Sequence, residues 1–393
     1  MISKIGNFIL QKKILVILFV LLALFASIQS LKSGTKTFLE GGLQYTHYNN
    51  YVIFEKSFQH LTENKDLYIA YPEEQWDLFK YTPTFAAFFG IFAIFPDWLG
   101  LSLWNLLNAF ILLLAVYYLP KFTLQQKSLI LLITLVELMT SMQNSQSNAL
   151  IAGLLILTFG LLEKDKFILA TLCVLFSVFI KLFGIVGFAL FLFYPHKWKL
   201  TLYTFLWTIL LLAVPLLFIS IGQYKFLFSS FGKMLSQDHA ASYGYSVMGW
   251  LNSWFGIMVN KYYLVLTGAL VFLISFLKMN SFKYYTFRIL TLASILILIV
   301  IFNHKAESPT FIIAMAGVSL WFVASPKNYI NVVLFILAFL FTSLSPTDIF
   351  PRFIREEYVN PYSLKVLPCI LIWFKITYDL ITFKEKEIES ITT

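Results

Sequence analysis

Charge is what this sequence has least of: Asp, Glu, Lys and Arg make up 12% of its 393 residues, against roughly 25% in an average soluble domain. Apolar residues make up 59%, and the mean hydropathy is +0.78. A soluble protein of this length cannot hide so much apolar surface from water, whereas a bilayer can accommodate most of it. The composition therefore excludes a string of soluble domains and predicts a polytopic membrane protein.

Other features are also missing. The two cysteines, Cys173 and Cys369, lie in apolar runs, which excludes a disulfide framework and a thiolate metal site. No five basic residues are consecutive, so the net charge of +9 predicts basic cytoplasmic loops rather than nucleic-acid binding. The patterns GxGxxG, GxxxxGK[ST] and HExxH do not occur, so we expect no nucleotide-binding loop, no zinc and no cofactor.

Long apolar runs dominate the rest of the chain. The first, residues 14–31, follows Lys12 and Lys13 and is typical of an uncleaved anchor helix or, alternatively, of a secretory signal peptide. A polar stretch then extends to Tyr81. Further apolar segments lie at 84–95, 101–119, 128–142, 148–162, 167–180, 183–194, 200–221, 262–277, 287–302, 310–324, 329–345 and 363–382. Residues 167–194 are too many for one span and carry Lys181 at their middle, so we expect a tight hairpin there.

Lysines in short connections predict the orientation, because cytoplasmic loops are enriched in basic residues. If the connections carrying Lys121, Lys127, Lys164, Lys166 and Lys197 are cytoplasmic, the chain crosses about twelve times, with both termini inside. This count requires one of the segments between Tyr81 and Pro120 to enter the bilayer without crossing it. The large loop 32–82 then lies outside, as do Gln143–Asn148, Lys181, residues 222–261, Asn303–Ser308 and residues 346–362. Because polar groups at membrane depth are expensive and usually functional, we expect an extracytoplasmic site.

The stretch from Asn49 to Asn108 carries a resemblance to a known family. It reads NNYVIFEKSFQHLTENKDLY, DLFKYTPTFAAFFGIFAIFPDWLG and LSLWNLLN, and it is followed by QSN at 146–148, IKLFG around Lys181 and HKAESPT at 304–310. This ordered set resembles glycosyltransferase family 87, the membrane mannosyltransferase-like proteins of the GT-C class. The resemblance implies one all-α membrane domain over residues 1–393, a helix bundle of GT-C type.

The resemblance also implies a reaction. Such enzymes transfer a sugar from a polyprenyl-phosphate donor to a glycolipid or glycan acceptor outside the cytoplasm, with an acidic residue of the first loop as base, and the sugar expected here is a hexose such as mannose. The partners expected are therefore that donor, that acceptor and the lipid bilayer, with no nucleic acid. The family's catalytic Asp aligns with Asn50, whose amide cannot accept a proton at neutral pH. Either the base has moved, or the activity has changed or been lost.

Three acidic residues of the first loop are candidates for a moved base. Asp77 ranks first, because it lies where the chain enters the bilayer and desolvation there would raise the pKa of a carboxylate. Asp66, before the Leu67-Tyr68 pair, ranks second, and Glu55 ranks third.

Polar residues further along are candidates for binding the substrate. Lys181, His304, Lys305, Lys80 and the adjoining Tyr81 are candidates for the carrier phosphate, although a snorkelling lysine would also explain Lys181. Gln146 and Asn148 are candidates for binding sugar hydroxyls or phosphate and equally for capping the helix that starts near Asn148, since Asn is a favoured N-cap residue, and the two roles are compatible.

The state of one buried acidic residue and the function of the protein each leave alternatives open. Glu137, inside an apolar span, is expected to be protonated or paired with a cation such as Lys181.

A transporter or flippase for a lipid-linked or small anionic substrate is the main functional alternative, although the internal repeats expected of a transporter are not apparent. A polysaccharide polymerase or ligase is a third, since Arg352 and Arg355 lie in a late loop.

Overall fold

The computed structural model describes residues 11–38, 42–237 and 243–384, and these are mainly helical. The α-helices of the described residues are, in chain order, α1 (Lys12–Lys32), α2 (Asn49–Thr62), α3 (Pro83–Ala93), α4 (Asp97–Tyr118), α5 (Leu124–Gln143), α6 (Asn148–Leu162), α7 (Phe167–Ile180), α8 (Lys197–Ala213), α9 (Ile221–Ser236), α10 (Val247–Phe255), α11 (Lys261–Ile274), α12 (Tyr285–Ile301), α13 (Phe311–Ala324), α14 (Tyr329–Leu337), α15 (Arg352–Ile354) and α16 (Leu367–Ile381). A 3-10 helix, Leu182–Phe193, follows α7, and strands β1 (Thr35–Thr37) and β2 (Gln44–Thr46) form an antiparallel ribbon in which Lys36 pairs with Tyr45.

Every apolar segment of the sequence forms a helix, which confirms the all-α class. Helices α6, α12 and α13 are buried on nearly all sides and form the centre of the bundle. Helix α8, by contrast, buries only Leu200 and leaves its other apolar side chains exposed or half-buried, as a helix facing lipid would. The bundle is thus apolar both at its centre and on its outer surface.

Helix length bears on the predicted number of crossings. Within the described residues, three helices are long and apolar enough to cross a bilayer, namely α1, α4 and α8 with the turn that continues it to Leu217. Helix α3 has 11 residues and extends about 16 Å, roughly half of the hydrocarbon core, as expected for a segment that enters without crossing. The other apolar helices are also short, and the count of twelve crossings stays a prediction.

The predicted hairpin at Lys181 is confirmed. The α-helical pattern stops at Ile180, Lys181 has an extended backbone, and the 3-10 helix folds back along α7. Gly184 lies against Ser177, and Gly187 lies against Val174, which is the pairing of antiparallel neighbours. The break brings the lysine side chain to the end of two apolar helices.

The described residues of the loop 32–82 are folded and packed on the bundle. Its helix α2 presents aromatic side chains to α3: the ring centroids of Tyr51 and Phe89 are 5.5 Å apart, and those of Phe54 and Phe85 are 5.2 Å apart, both edge to face. The Tyr68 hydroxyl donates to the carbonyl oxygen of Tyr81 over 3.0 Å. These contacts hold the polar loop over the start of α3.

The partner of Glu137 differs from the one predicted. Its carboxylate accepts a hydrogen bond from Lys365 Nζ over 2.6 Å, and both side chains are buried. Lys181 lies elsewhere, so its suggested pairing with Glu137 is wrong. The pair joins α5 to the segment before α16, because two opposite charges at this depth are stabilised by contact with each other.

Candidate active site

Two adjoining cavities lie beneath the loop 32–82. The first, here called the lysine cavity, has a volume of about 330 Å³ and is lined by residues that include Asn50, Tyr81, Gln146, Lys181 and Lys305. Segments that are far apart in sequence, and that were predicted to share one face of the membrane, therefore meet in one cavity.

The second cavity, here called the tryptophan cavity, has a volume of about 510 Å³. Its lining includes Tyr45, Tyr71, Gln75, Trp76 and His304. The two cavities also share part of their lining, namely Asp77, Leu78, Lys80, Lys305 and Glu307. These five residues are here called the shared wall, and a ligand in either cavity would contact them.

Lys181 is held by amides and aromatic rings. Its Nζ donates to Asn148 Oδ1 over 2.8 Å and to Gln146 Oε1 over 3.4 Å, and it lies 5.6 Å from the centroid of the Tyr81 ring and 5.9 Å from that of Phe183. Such an arrangement holds a cation at one point without neutralising its charge. The ammonium group is directed into protein contacts, so snorkelling does not explain this lysine.

Asn148 positions this lysine rather than capping a helix. The N-cap of α6 is Ser147, and Asn148 is the first helical residue. Its side chain accepts from Lys181 and donates from Nδ2 to the carbonyl oxygen of Pro309 over 3.1 Å. The capping interpretation is thus wrong, and the amide links Lys181 to the loop before α13.

Asn50 lies in the lysine cavity, at the first turn of α2. Its Nδ2 donates to the carbonyl oxygen of Asn144 over 2.9 Å. This contact uses the ability of the Asn amide to donate, which an Asp lacks at neutral pH. The side chain therefore ties α2 to the end of α5.

Of the three predicted bases, only Asp77 lines the cavities. Its Oδ2 accepts from Lys80 Nζ over 2.6 Å, and its Oδ1 accepts from the amide of Leu78 over 2.7 Å. The side chain is 47% exposed, so the desolvation expected for Asp77 is not found. Each of its two carboxylate oxygens has a further lone pair that can accept a hydrogen bond from a hydroxyl group.

Asp66 and Glu55 are directed elsewhere. Both carboxylate oxygens of Asp66 accept from the Ser230 hydroxyl over 2.8 Å, which ties the loop to α9. Burial, with repulsion from Asp97 second, raises the pKa of Glu55, and its Oε1 accepts from Gln59 over 3.1 Å. Neither residue lines the lysine cavity or the tryptophan cavity, so the geometry does not favour them as bases.

The loop 303–307 supplies four polar side chains, one of which, Asn303, lines the lysine cavity. His304 lines the tryptophan cavity, whereas Lys305 and Glu307 line both cavities. The loop is held by Tyr245, whose amide donates to the carbonyl oxygen of Ala306 over 2.9 Å. Gly244 has a φ of +55°, and a Cβ there would lie 2.6 Å from the same oxygen, so the close approach requires glycine.

Sequence reasoning missed several residues of the shared wall and its surroundings. Glu307 stands within the HKAESPT stretch, but its carboxylate is not among the candidates, because the neighbouring cations His304 and Lys305 already suggested a phosphate site there. Gln75 and Trp76 directly precede Asp77 and carried no motif of their own. Proximity in sequence to a selected residue was the only signal that pointed to them.

One protein family is similar to this chain over most of its length. The model of glycosyltransferase family 87 matches residues 79–326, more than half of the chain. The matched region contains Lys80, Tyr81, Gln146, Lys181 and Lys305, while Asn50 and Asp77 precede it. A search of curated proteins finds no match.

Proposed function

The chain belongs to glycosyltransferase family 87, and we propose that it moves a hexose such as mannose from a polyprenyl-phosphate donor to a glycolipid or glycan acceptor. The membership supports a membrane glycosyltransferase. The donor, the acceptor and the residue roles below are our proposal. The observation that carries it is the cation Lys181, held by two amides at the break between two apolar helices and lining a cavity.

The polar side of the lysine cavity suits a phosphate. Lys80, Lys181 and Lys305 all line it, and charge-assisted hydrogen bonds from ammonium groups are the strong contacts that a phosphodiester makes. Gln146 adds an amide that can donate to a sugar or phosphate oxygen.

The apolar side of the same cavity suits a lipid tail. Phe54, Phe183 and Met234 contribute apolar surface, and Leu182 and Leu235, each 46% exposed, stand at its edge. An isoprenoid chain arriving from the membrane would meet apolar side chains before its phosphate met the lysines. This combination of cation and exposed apolar edge favours a lipid-linked donor over a free sugar nucleotide.

Asp77 is our proposed base. The acceptor hydroxyl oxygen would attack the anomeric carbon of the donor, the bond from that carbon to the phosphate oxygen would break, and the polyprenyl phosphate would leave. The hydroxyl proton would pass to the Asp77 carboxylate, once the hydroxyl enters hydrogen-bond distance beside Lys80. Lys181 would stabilise the negative charge that grows on the departing phosphate.

The distribution of lysines leads us to propose on which side of the membrane the cavities open. With the lysine-rich connections in the cytoplasm, the cavities of a multi-pass cell (inner) membrane protein would open on the extracytoplasmic side. Loop 32–82 would then cover the site from outside.

Transfer of a labelled sugar tests the proposal. Purified protein is incubated with polyprenyl phosphates carrying labelled mannose, glucose or galactose, together with a membrane lipid extract that contains acceptors. We expect label from one donor to enter the glycolipid fraction, and the Lys181→Gln variant to transfer much less. Release of no label from any donor contradicts the proposal, and translocation of intact donor across vesicles would instead favour the flippase alternative.

A further inference from the structure

We propose that the tryptophan cavity binds a neutral saccharide chain, so that the acceptor is recognised by its sugars and not by a lipid tail alone. The inference deepens the proposed function and rests on it. It starts from the size of the cavity, about 510 Å³, which lies within the range of pockets that hold small ligands.

Fixed aromatic rings provide the first argument. Trp76 is stacked on Phe38 with ring centroids 5.2 Å apart and planes 5° apart, and its amide donates to Asn49 Oδ1 over 3.0 Å. The hydroxyls of Tyr45 and Tyr71 donate to backbone carbonyl oxygens over 2.8 Å. The negatively polarised face of such a ring attracts the C–H groups on the flat side of a pyranose.

An unsatisfied acceptor provides the second argument. Gln75 lines the cavity and is 4% exposed. Its Nε2 donates to the carbonyl oxygen of Asp77 over 3.3 Å, but its Oε1 has no hydrogen-bond partner among the described residues. A buried acceptor without a donor costs free energy, and a sugar hydroxyl is a donor of suitable size.

The charges on the shared wall indicate that the saccharide is neutral. Lys80 and Lys305 are matched by Asp77 and Glu307, so the wall offers no excess of one sign to an acidic glycan. Asp77 lies on this wall, where a hydroxyl of the saccharide and the head of a donor in the lysine cavity would both reach it. A binding site for the acceptor sugar is therefore adjacent to the proposed base.

Calorimetry on the full-length protein in detergent tests the inference without any donor. Mannotetraose and cellotetraose are the probes, and tetraethylene glycol is a control of similar length. We expect at least one tetrasaccharide to bind, with affinity about tenfold lower for Trp76→Ala and about fivefold lower for Gln75→Leu. Trp98→Ala removes a tryptophan that is 62% exposed on α4 and lines neither cavity, and it should leave the affinity unchanged.

Trp76→Phe keeps an aromatic ring and is the second variant to test if Trp76→Ala does not fold. An affinity between those of the wild type and Trp76→Ala supports the inference. Binding of neither tetrasaccharide, or equal affinity of the wild type and both Trp76 variants, overturns it.

The Lys181→Gln variant separates this inference from the proposed function. It should bind the tetrasaccharide normally, because Lys181 does not line the tryptophan cavity. If binding depends on Trp76 while no donor label is ever transferred, the saccharide site stands and the proposed transfer fails.

Discussion

The side-chain amide of Asn50 donates a hydrogen bond to the carbonyl oxygen of Asn144 over 2.9 Å. It thereby joins the first turn of α2 to the end of α5, at the edge of the lysine cavity. The sequence resemblance predicts the family's catalytic Asp at this position, which lies before the region that the family model matches, and here the side chain makes a contact that a carboxylate cannot make.

Replacing this amide tests its structural role. Asn50→Asp removes the donor and places a carboxylate oxygen against a carbonyl oxygen, so we expect a loss of about 1–3 kcal/mol in the free energy of unfolding. Thermal unfolding in detergent measures the change. Asn50→Ala is the matched control, because it removes the donor without adding charge, and it should destabilise no more than the Asp variant. Stability equal to that of the wild type in Asn50→Asp would show that the hydrogen bond is dispensable.

The base is tested by Asp77→Asn, which keeps the size of the side chain but removes the proton acceptor. General-base catalysis contributes typically about 10²–10⁴-fold, so the transfer rate should fall by that factor with substrate affinity little changed. Asp66→Asn and Glu55→Gln should reduce the rate much less, since these residues line neither cavity. Glu307→Gln is the sharpest comparison, because its carboxylate shares the wall with Asp77. If Glu307→Gln takes the large loss and Asp77→Asn does not, Glu307 is the base.

The phosphate contact is tested at Lys181. A charge-assisted hydrogen bond contributes about 1.5–3 kcal/mol, so Lys181→Gln should weaken use of the lipid-linked donor by about tenfold to a hundredfold. Lys305→Gln should show a smaller effect of the same kind, because this side chain is exposed. Lys164→Gln changes a lysine on a different connection and should leave donor use unaltered. Donor saturation curves measure the effect, and unchanged curves for both Lys181 and Lys305 variants would locate the phosphate elsewhere.

The pair of Glu137 and Lys365 is tested by single and double substitution. Removing one partner leaves a buried charge alone, so Glu137→Gln should cost about 3–5 kcal/mol of stability. The double variant Glu137→Leu with Lys365→Met should recover most of the loss. Glu356→Gln breaks the exposed contact of Glu356 with Arg352 and should change stability little. Equal stability of Glu137→Gln and wild type would contradict a role for this pair in holding α5.

Membrane orientation is tested by labelling with an impermeant thiol reagent. In a background in which Cys173 and Cys369 are replaced by Ala, Glu73→Cys should react from outside intact cells and Lys164→Cys should not. Both positions are exposed on the protein, so access depends on the side of the membrane. Reaction at the Lys164 position alone would invert the predicted topology.

Local patterns were enough to predict much of the fold. The apolar runs predicted the apolar helices of the bundle, and the interruption at Lys181 predicted the hairpin, because helix formation in lipid depends on short-range composition. Helices α2 and α9 were missed, since each lies in a stretch that is polar enough to resemble a connection. In the structure α2 is held by aromatic contacts with α3, which no local pattern contains.

The candidate site was predicted in part. Lys80, Tyr81, Gln146, Lys181 and Lys305 meet in one cavity, because polar residues at the ends of apolar helices gather at one level of a bundle. The ranking of the acids by sequence placed Asp77 first, and the geometry agrees that it alone of the three lines the cavity, although for a different reason from the desolvation expected.

Residues that are neighbours in the chain were enough to identify an apolar helix bundle, the positions of its apolar helices and its family. Which polar groups meet depends on the packing of distant segments. Glu137 pairs with Lys365, 228 residues away, and Asn148 reaches Lys181 and Pro309 at once. These pairings depend on the packing angles and the relative offsets of helices that are distant in sequence, and a short-range sequence pattern encodes neither.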